Sequence, residues 1–112
     1  MIDLFDFKEL NDYLLSLGDI TLSQPYGDNQ TVYEFEDQMF ALVDDQKKPI
    51  KISLRCDRRL GILLKDKYEE VIPGINLNPN NWITVLITGQ LSKDDIKDLI
   101  RHSFEVISKG KN

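Results

Sequence analysis

Cysteine, histidine and tryptophan each occur once in the 112 residues, at Cys56, His102 and Trp82. A single cysteine excludes an internal disulfide and gives no sign of an oxidising compartment. One histidine and one cysteine cannot assemble a common zinc site. No stretch approaches the ~20 apolar residues of a membrane span. The N-terminal MIDLFDFKEL has no basic segment ahead of an apolar run, so no secretory leader is expected. G-x-S-x-G, Walker-type and GxGxxG spacings are missing, and no run matches an EF-hand calcium loop. Repeats, low-complexity tracts and linkers are missing as well. These absences leave a cytoplasmic protein of one domain, 1–112, with no cofactor, metal or small-molecule substrate expected.

The residues present support a folded core. Hydrophobic residues make up 41% and charged residues 29%, globular values that exclude disorder. A chain of this length buries roughly two thirds of its unfolded surface. Net charge is −5, but it is unevenly spread. Residues 1–45 hold eleven acids and one base, Lys8, whereas 46–112 hold thirteen bases and eight acids. Between 47 and 67 lie Lys47, Lys48, Lys51, Arg55, Arg58, Arg59, Lys65 and Lys67 against Asp57 and Asp66. The whole molecule repels nucleic acid at long range, while this segment attracts phosphate locally.

Leu4, Phe7, Leu10, Leu14 and Leu17 recur at three- and four-residue intervals, which predicts a helix over 4–17 with Asp3 as its N-cap. ITLSQ (20–24) reads as a short strand. TVYEFE (31–36) and QMFALV (38–43) are so close that a tight hairpin at Glu36-Asp37 must join them, with Tyr33, Phe35, Phe40 and Leu42 on the core face. PIKISLR (49–55) alternates, with Ile50, Ile52 and Leu54 inward. Asp57 caps a second helix, about 58–69, that turns Leu60, Leu63 and Leu64 inward. WITVLIT (82–88) is the last strand. Ser92 and Asp95 form a capping-box pattern ahead of the longest helix, whose stripe is Ile96, Leu99, Ile100, Ser103 and Ile107. The pattern predicts an α+β fold in two layers, an antiparallel sheet of about five strands with helices on one face. The other face stays partly open around Trp82, Leu86, Met39 and Val43.

Catalysis finds little to work with. His102 falls beside Asp98 and Glu105, off the apolar stripe, as a solvated surface residue does. Cys56 precedes a helix, yet a small residue packed at a strand–helix junction accounts for it. The acid pairs Asp44-Asp45 and Asp94-Asp95 sit in loop and cap positions. No enzyme is expected.

PYG (25–27), QMFALV (38–43), ISLRCD (52–57), VIPGINLNPNNWITV (71–85) and LIRHSFEVI (99–107) together resemble the MmcQ/YjbR family of small bacterial proteins. The resemblance runs from about residue 20 to 107. It implies a fold like that of the CyaY and secretion-chaperone groups, no known enzymatic activity, and DNA binding through a double-wing surface. Relatives carry a G-Y-H-M-N-K-x-H-W type of run before the late strand. Here Ile75, Asn76, Pro79 and Asn81 stand at its aromatic, histidine and lysine positions, and Gln38 replaces a hairpin lysine. Those replacements are neutral, so phosphate affinity there is low. Asn76, Asn78, Asn80 and Asn81 read chiefly as turn chemistry leading into Trp82.

Two functions follow. One is weak, salt-sensitive DNA binding through Lys47, Lys48, Lys51, Arg55, Arg58 and Arg59, unless Arg55 pairs with Glu34 and Arg58 with an acid of the first helix. The other is an adaptor or homodimer that uses the open face, with Asn76, Asn78, Asn80, Asn81, Trp82 and Leu86 as its loop surface.

Overall fold

A computed structural model describes residues 3–109. The chain runs α1 (Phe7–Leu15), β1 (Thr21–Ser23), β2 (Gln30–Phe35), β3 (Gln38–Asp44), β4 (Lys51–Arg55), α2 (Arg58–Lys67), β5 (Val71–Pro73), β6 (Trp82–Leu86) and α3 (Lys93–Lys109). The strands form one sheet in the order β1-β2-β3-β4-β6-β5, every neighbouring pair antiparallel. The α+β architecture matches the sequence expectation, with six strands in place of about five. The extra strand, β5, is three residues long and ends in proline, too short for an alternation to be visible in the sequence.

The β2–β3 hairpin turns on Glu36 and Asp37, with φ of 50° and 66°. Both central residues are left-handed, as a two-residue hairpin loop requires. Further along, Tyr33 pairs with Ala41 but Glu34 with Met39, so Phe40 is the extra residue of a bulge. This bulge corrects the expected core face. Tyr33 and Phe40 are fully buried as predicted, but Ala41 and Val43, placed outside by strict alternation, are also fully buried. Leu42 turns to the open face instead, because one inserted residue reverses the phase of everything after it.

All three helices pack on the same side of the sheet. Gly61 of α2 lies against Ile83 and Cys56. Phe104 of α3 packs on Phe35 and Phe40, with ring centroids 4.9 and 5.5 Å apart. Tyr33 donates from its hydroxyl to Asn11 Oδ1 of α1 at 2.7 Å. Leu10 and Leu14 are fully buried, each contributing about 1.5–3 kcal/mol. The helix itself starts later than its periodicity suggests. Asp6, not Asp3, is the N-cap, in a reciprocal box with Glu9. Leu4 is therefore outside the helix and exposed. Asp3 joins Glu9 in holding Lys93, at 3.0 and 2.7 Å, which ties the start of α3 to α1. Leu63, expected in the core, is 66% exposed beside the exposed Ile62, since the buried side of α2 is narrow and centred on Gly61. The Ser92–Asp95 capping box forms as predicted.

Two of the buried polar side chains, Ser103 and Glu70, tie separate elements together. Ser103 of α3 accepts from the Arg55 amide at 2.9 Å and donates to the Phe40 carbonyl at 2.5 Å. Glu70 sits just before β5. One carboxylate oxygen accepts from the Thr88 hydroxyl (2.6 Å) and the Gln90 amide (2.8 Å), the other from the Leu91 amide (3.1 Å).

Candidate binding groove on the open sheet face

Cross-strand register sets which side chains share the face away from the helices. Leu42, Ser53, Thr84 and Ile72 form one row, and Asp44, Lys51 and Leu86 form the next. Two loops rise beside these rows. The β1–β2 loop brings Tyr26, which is 65% exposed. The β5–β6 loop brings Ile75, Asn76 and Leu77, anchored where the Ile75 amide donates to Thr84 Oγ1 at 3.1 Å. Gly74 makes that fold-back feasible, because a Cβ there would stand 2.7 Å from Trp82 Cβ. Together these residues enclose a groove of about 340 Å³, lined by Tyr26, Gln30, Leu42, Asp44, Lys51, Ser53, Ile75, Asn76, Leu77 and Thr84. Its walls are mainly apolar. Its floor is the Ser53–Thr84 hydroxyl pair, 2.8 Å apart.

The asparagine-rich loop divides its labour. Asn78 Oδ1 accepts from the Asn80 amide at 3.0 Å and Asn78 O from the Asn81 amide at 3.1 Å. The Asn81 carbonyl then accepts from the Cys56 amide at 2.8 Å. That is turn chemistry, as read from the sequence. Asn76, left-handed at φ 58°, is the member that reaches the groove. Trp82 is only 8% exposed and Val43 fully buried. The apolar open face expected around Trp82, Leu86, Met39 and Val43 therefore shrinks to the half-buried Leu86 and Met39. Trp82 is taken up by the chain itself, under Gly74 and beside the Arg55 guanidinium, 5.8 Å from the ring centroid.

The six cations named from the sequence spread out. Lys47 and Lys48 are exposed in the β3–β4 loop, and Arg58 and Arg59 are exposed at the start of α2. Lys51 and Arg55 share the open face at opposite ends of β4, about 13 Å apart at ~3.3 Å per residue. Among the described residues none of the six forms an ion pair. Neither the Arg55–Glu34 nor the Arg58–α1 pairing occurs. Arg55 Nε is buried and has no hydrogen-bond partner among the described residues.

His102 is half-buried, and its Nε2 accepts from the Asp57 amide at 3.1 Å, steadying the entry to α2. Cys56 is buried against α2. Burial pushes its thiol up to about 11, and the neighbouring Asp57 adds to the effect. The neutral thiol is thus the form the fold favours. Its stabilisation is complete below the ordinary value of 9.0 and is lost as pH rises through about 11. Unfolding free energy is expected to decline between those limits, by less in Cys56→Ala. Alkylation of the native protein at pH 8 should be on the order of 10²-fold slower than for an unfolded control. Alkylation at the control rate would contradict this placement.

Tyr26, Gln30, Leu42, Ser53, Ile75, Leu77 and Thr84 were not anticipated as site residues. The available signal was PYG: a tyrosine between proline and glycine has no neighbours in sequence to bury it. Among the described residues no group of His, Cys, Asp and Glu could hold a metal ion, and no helix is long and apolar enough to cross a membrane.

Comparison with known proteins agrees with this architecture. The chain is 26% identical over 96 residues to the uncharacterised protein YbdF of Escherichia coli O157:H7, covering 86% of this chain and 79% of YbdF. It is 31% identical over 75 residues to the uncharacterised YjbR of Escherichia coli (strain K12), covering 67% of this chain and 64% of that protein. The crystal structure of Deinococcus radiodurans DR2400, of domain family DUF419, superposes with a TM-score of 0.81 at 26% identity, over 94% of this chain and 80% of that one. A Pseudomonas syringae protein shares the fold at TM-score 0.78 and 24% identity, over 91% and 98% of the two chains. The YjbR family model matches residues 15–106, and the chain belongs to that family.

Proposed function

We propose that this chain is a non-catalytic binding protein that seats a segment of a protein partner in the open-face groove. One observation carries the reading: stretches distant in sequence (PYG, QMFALV, ISLRCD and the β5–β6 loop) all deliver side chains to a single recess. Its volume sits at the low end of the roughly 300–1,000 Å³ of ligand sites. Its exposed Tyr26 and Ile75 supply apolar contact surface of the kind that marks partner sites. Nothing in the groove pairs a nucleophile with a base, since the neighbour of Ser53 is another hydroxyl. A photo-crosslinking side chain at Tyr26 and at Ile75 should trap one and the same protein, and a groove-filling Leu42→Trp should abolish both adducts. Adducts indifferent to Leu42→Trp would end this reading.

A second reading rests on the six cations having no ion-pair partners among the described residues. Apart from Arg55, whose guanidinium lies beside Trp82 with Nε buried, they are available to phosphate, along β4 and beyond both its ends. Their spread and the net charge of −5 rank it second. It expects retention of random duplex DNA at low salt that falls steeply as salt rises. Charge reversal at Lys47, Lys48, Arg58 and Arg59 should remove that retention. No retention of the unmodified protein at low salt refutes it.

A further inference from the structure

The floor of the groove holds one hydroxyl hydrogen that has no hydrogen-bond partner among the described residues. Ser53 and Thr84 own two hydroxyl hydrogens and share one bond. Thr84 Oγ1 also accepts from the Ile75 amide, and neither hydroxyl has another partner among the described residues. Thr84 is fully buried. Its hydroxyl is satisfied only if it donates to Ser53 while accepting from Ile75. Ser53 then accepts within the pair, which leaves its own hydrogen without a partner among the described residues at the groove that Ser53 lines.

Lys51 stands two residues away on the same face, about 7 Å along the strand. It forms no ion pair with its cross-strand neighbour Asp44. Asp44 Oδ1 accepts from the Gln46 amide at 3.0 Å and Oδ2 from Gln30 Nε2 at 3.4 Å. The groove thus offers a hydroxyl hydrogen and an ammonium outside any ion pair, beside an Asp44 carboxylate whose oxygens already accept from Gln46 and Gln30, and it is bounded by Leu42, Ile75 and Leu77. The complement of two donors on an apolar bed is a carboxylate joined to an aliphatic group. Asn76 stands at the groove with no side-chain hydrogen bond of its own among the described residues, and an amide there matches a peptide group better than an alkyl chain.

We propose that the groove captures the free C-terminal end of a partner polypeptide whose last residue is aliphatic. The carboxylate is held by Lys51 Nζ and the Ser53 hydroxyl, the side chain packs on Leu42, Ile75 and Leu77, and Asn76 bonds the last peptide group. This rests on the partner-segment reading above and specifies what the segment presents.

Titration of the full chain with N-acetyl-leucyl-leucine, its C-terminal amide and octanoate, followed by ¹H–¹⁵N NMR, tests it. The free acid is expected to bind at least about tenfold more tightly than the amide, the effect of one charge-assisted hydrogen bond, with shifts at Ser53, Thr84, Ile75 and Asn76. Lys51→Met, a half-buried position whose change spares the core, should erase the preference for acid over amide. Ser53→Ala should weaken the acid. Equal binding of acid and amide, no binding of either, or octanoate binding more tightly than the peptide acid would each overturn the proposal. If crosslinking at Tyr26 still traps a partner that Leu42→Trp releases, the groove remains the site and only its terminal-carboxylate specificity is lost.

Discussion

Replacing Glu70 by alanine is expected to destabilise the protein by about 3–5 kcal/mol, because three donors lose their acceptor at once. Glu70 is 4% exposed, and its carboxylate collects the Thr88 hydroxyl and the Gln90 and Leu91 amides. The residue also works through its backbone: its amide donates to Gln90 Oε1 at 3.1 Å, and its carbonyl accepts from the Leu86 amide at 2.9 Å. One glutamate therefore fastens the β6–α3 connection to the start of β5. A domain of this size has about 5–15 kcal/mol in total, so the variant should sit near the edge of folding. Urea unfolding gives the loss directly. Hydrogen exchange should quicken at Leu91 more than in the β3–β4 ladder, marking the loosened connection. Glu70→Gln keeps one acceptor oxygen and should lose roughly half as much. A midpoint for Glu70→Ala equivalent to a change below about 1 kcal/mol would refute the role.

Ser103→Ala should cost about 2–4 kcal/mol, although it removes a single oxygen. Ala41 pairs with Leu54, so a regular ladder would next pair Phe40 with Arg55. The bulge at Phe40 breaks that step. Ser103 reaches in from α3 and takes both groups, accepting from the Arg55 amide and donating to the Phe40 carbonyl. Alanine leaves an amide and a carbonyl facing each other across a gap that neither spans. The loss should appear as a lower urea midpoint with an unchanged slope, since the surface exposed on unfolding is the same. Ser103→Cys, a weaker donor and acceptor, should fall between. A loss below about 1 kcal/mol would mean that the strands close the gap directly.

These two residues also show where a sequence can be read and where it cannot. Ser103 was placed on the buried stripe of α3 by its spacing, but its partners lie 48 and 63 positions away, and no periodicity carries that. Glu70 follows Glu69 at the end of a helix and looks like one of two solvated acids; only the return of the β6–α3 connection encloses it. Elements with a full period were legible: the hairpin at Glu36-Asp37, the alternation of β4, the capping box of α3. Failures arose where one residue changes the count. Phe40 reversed the face assigned to Ala41, Leu42 and Val43, and so hid Leu42 from the groove. Leu63 fitted the stripe of α2 by spacing but lies past the edge of what the sheet covers. The groove was partly legible. Tyr26 and Asn76 lay inside quoted motifs, whereas Ser53 and Thr84 became its floor through the β4–β6 register alone.

The outermost strands, β1 and β5, are each three residues long, and β5 ends in Pro73. A rim so short exposes few main-chain groups, and a proline removes one donor from it, so neither side of the sheet is a template on which a foreign strand can extend the ladder. A segment seated as proposed above would therefore approach broadside and be recognised by side chains.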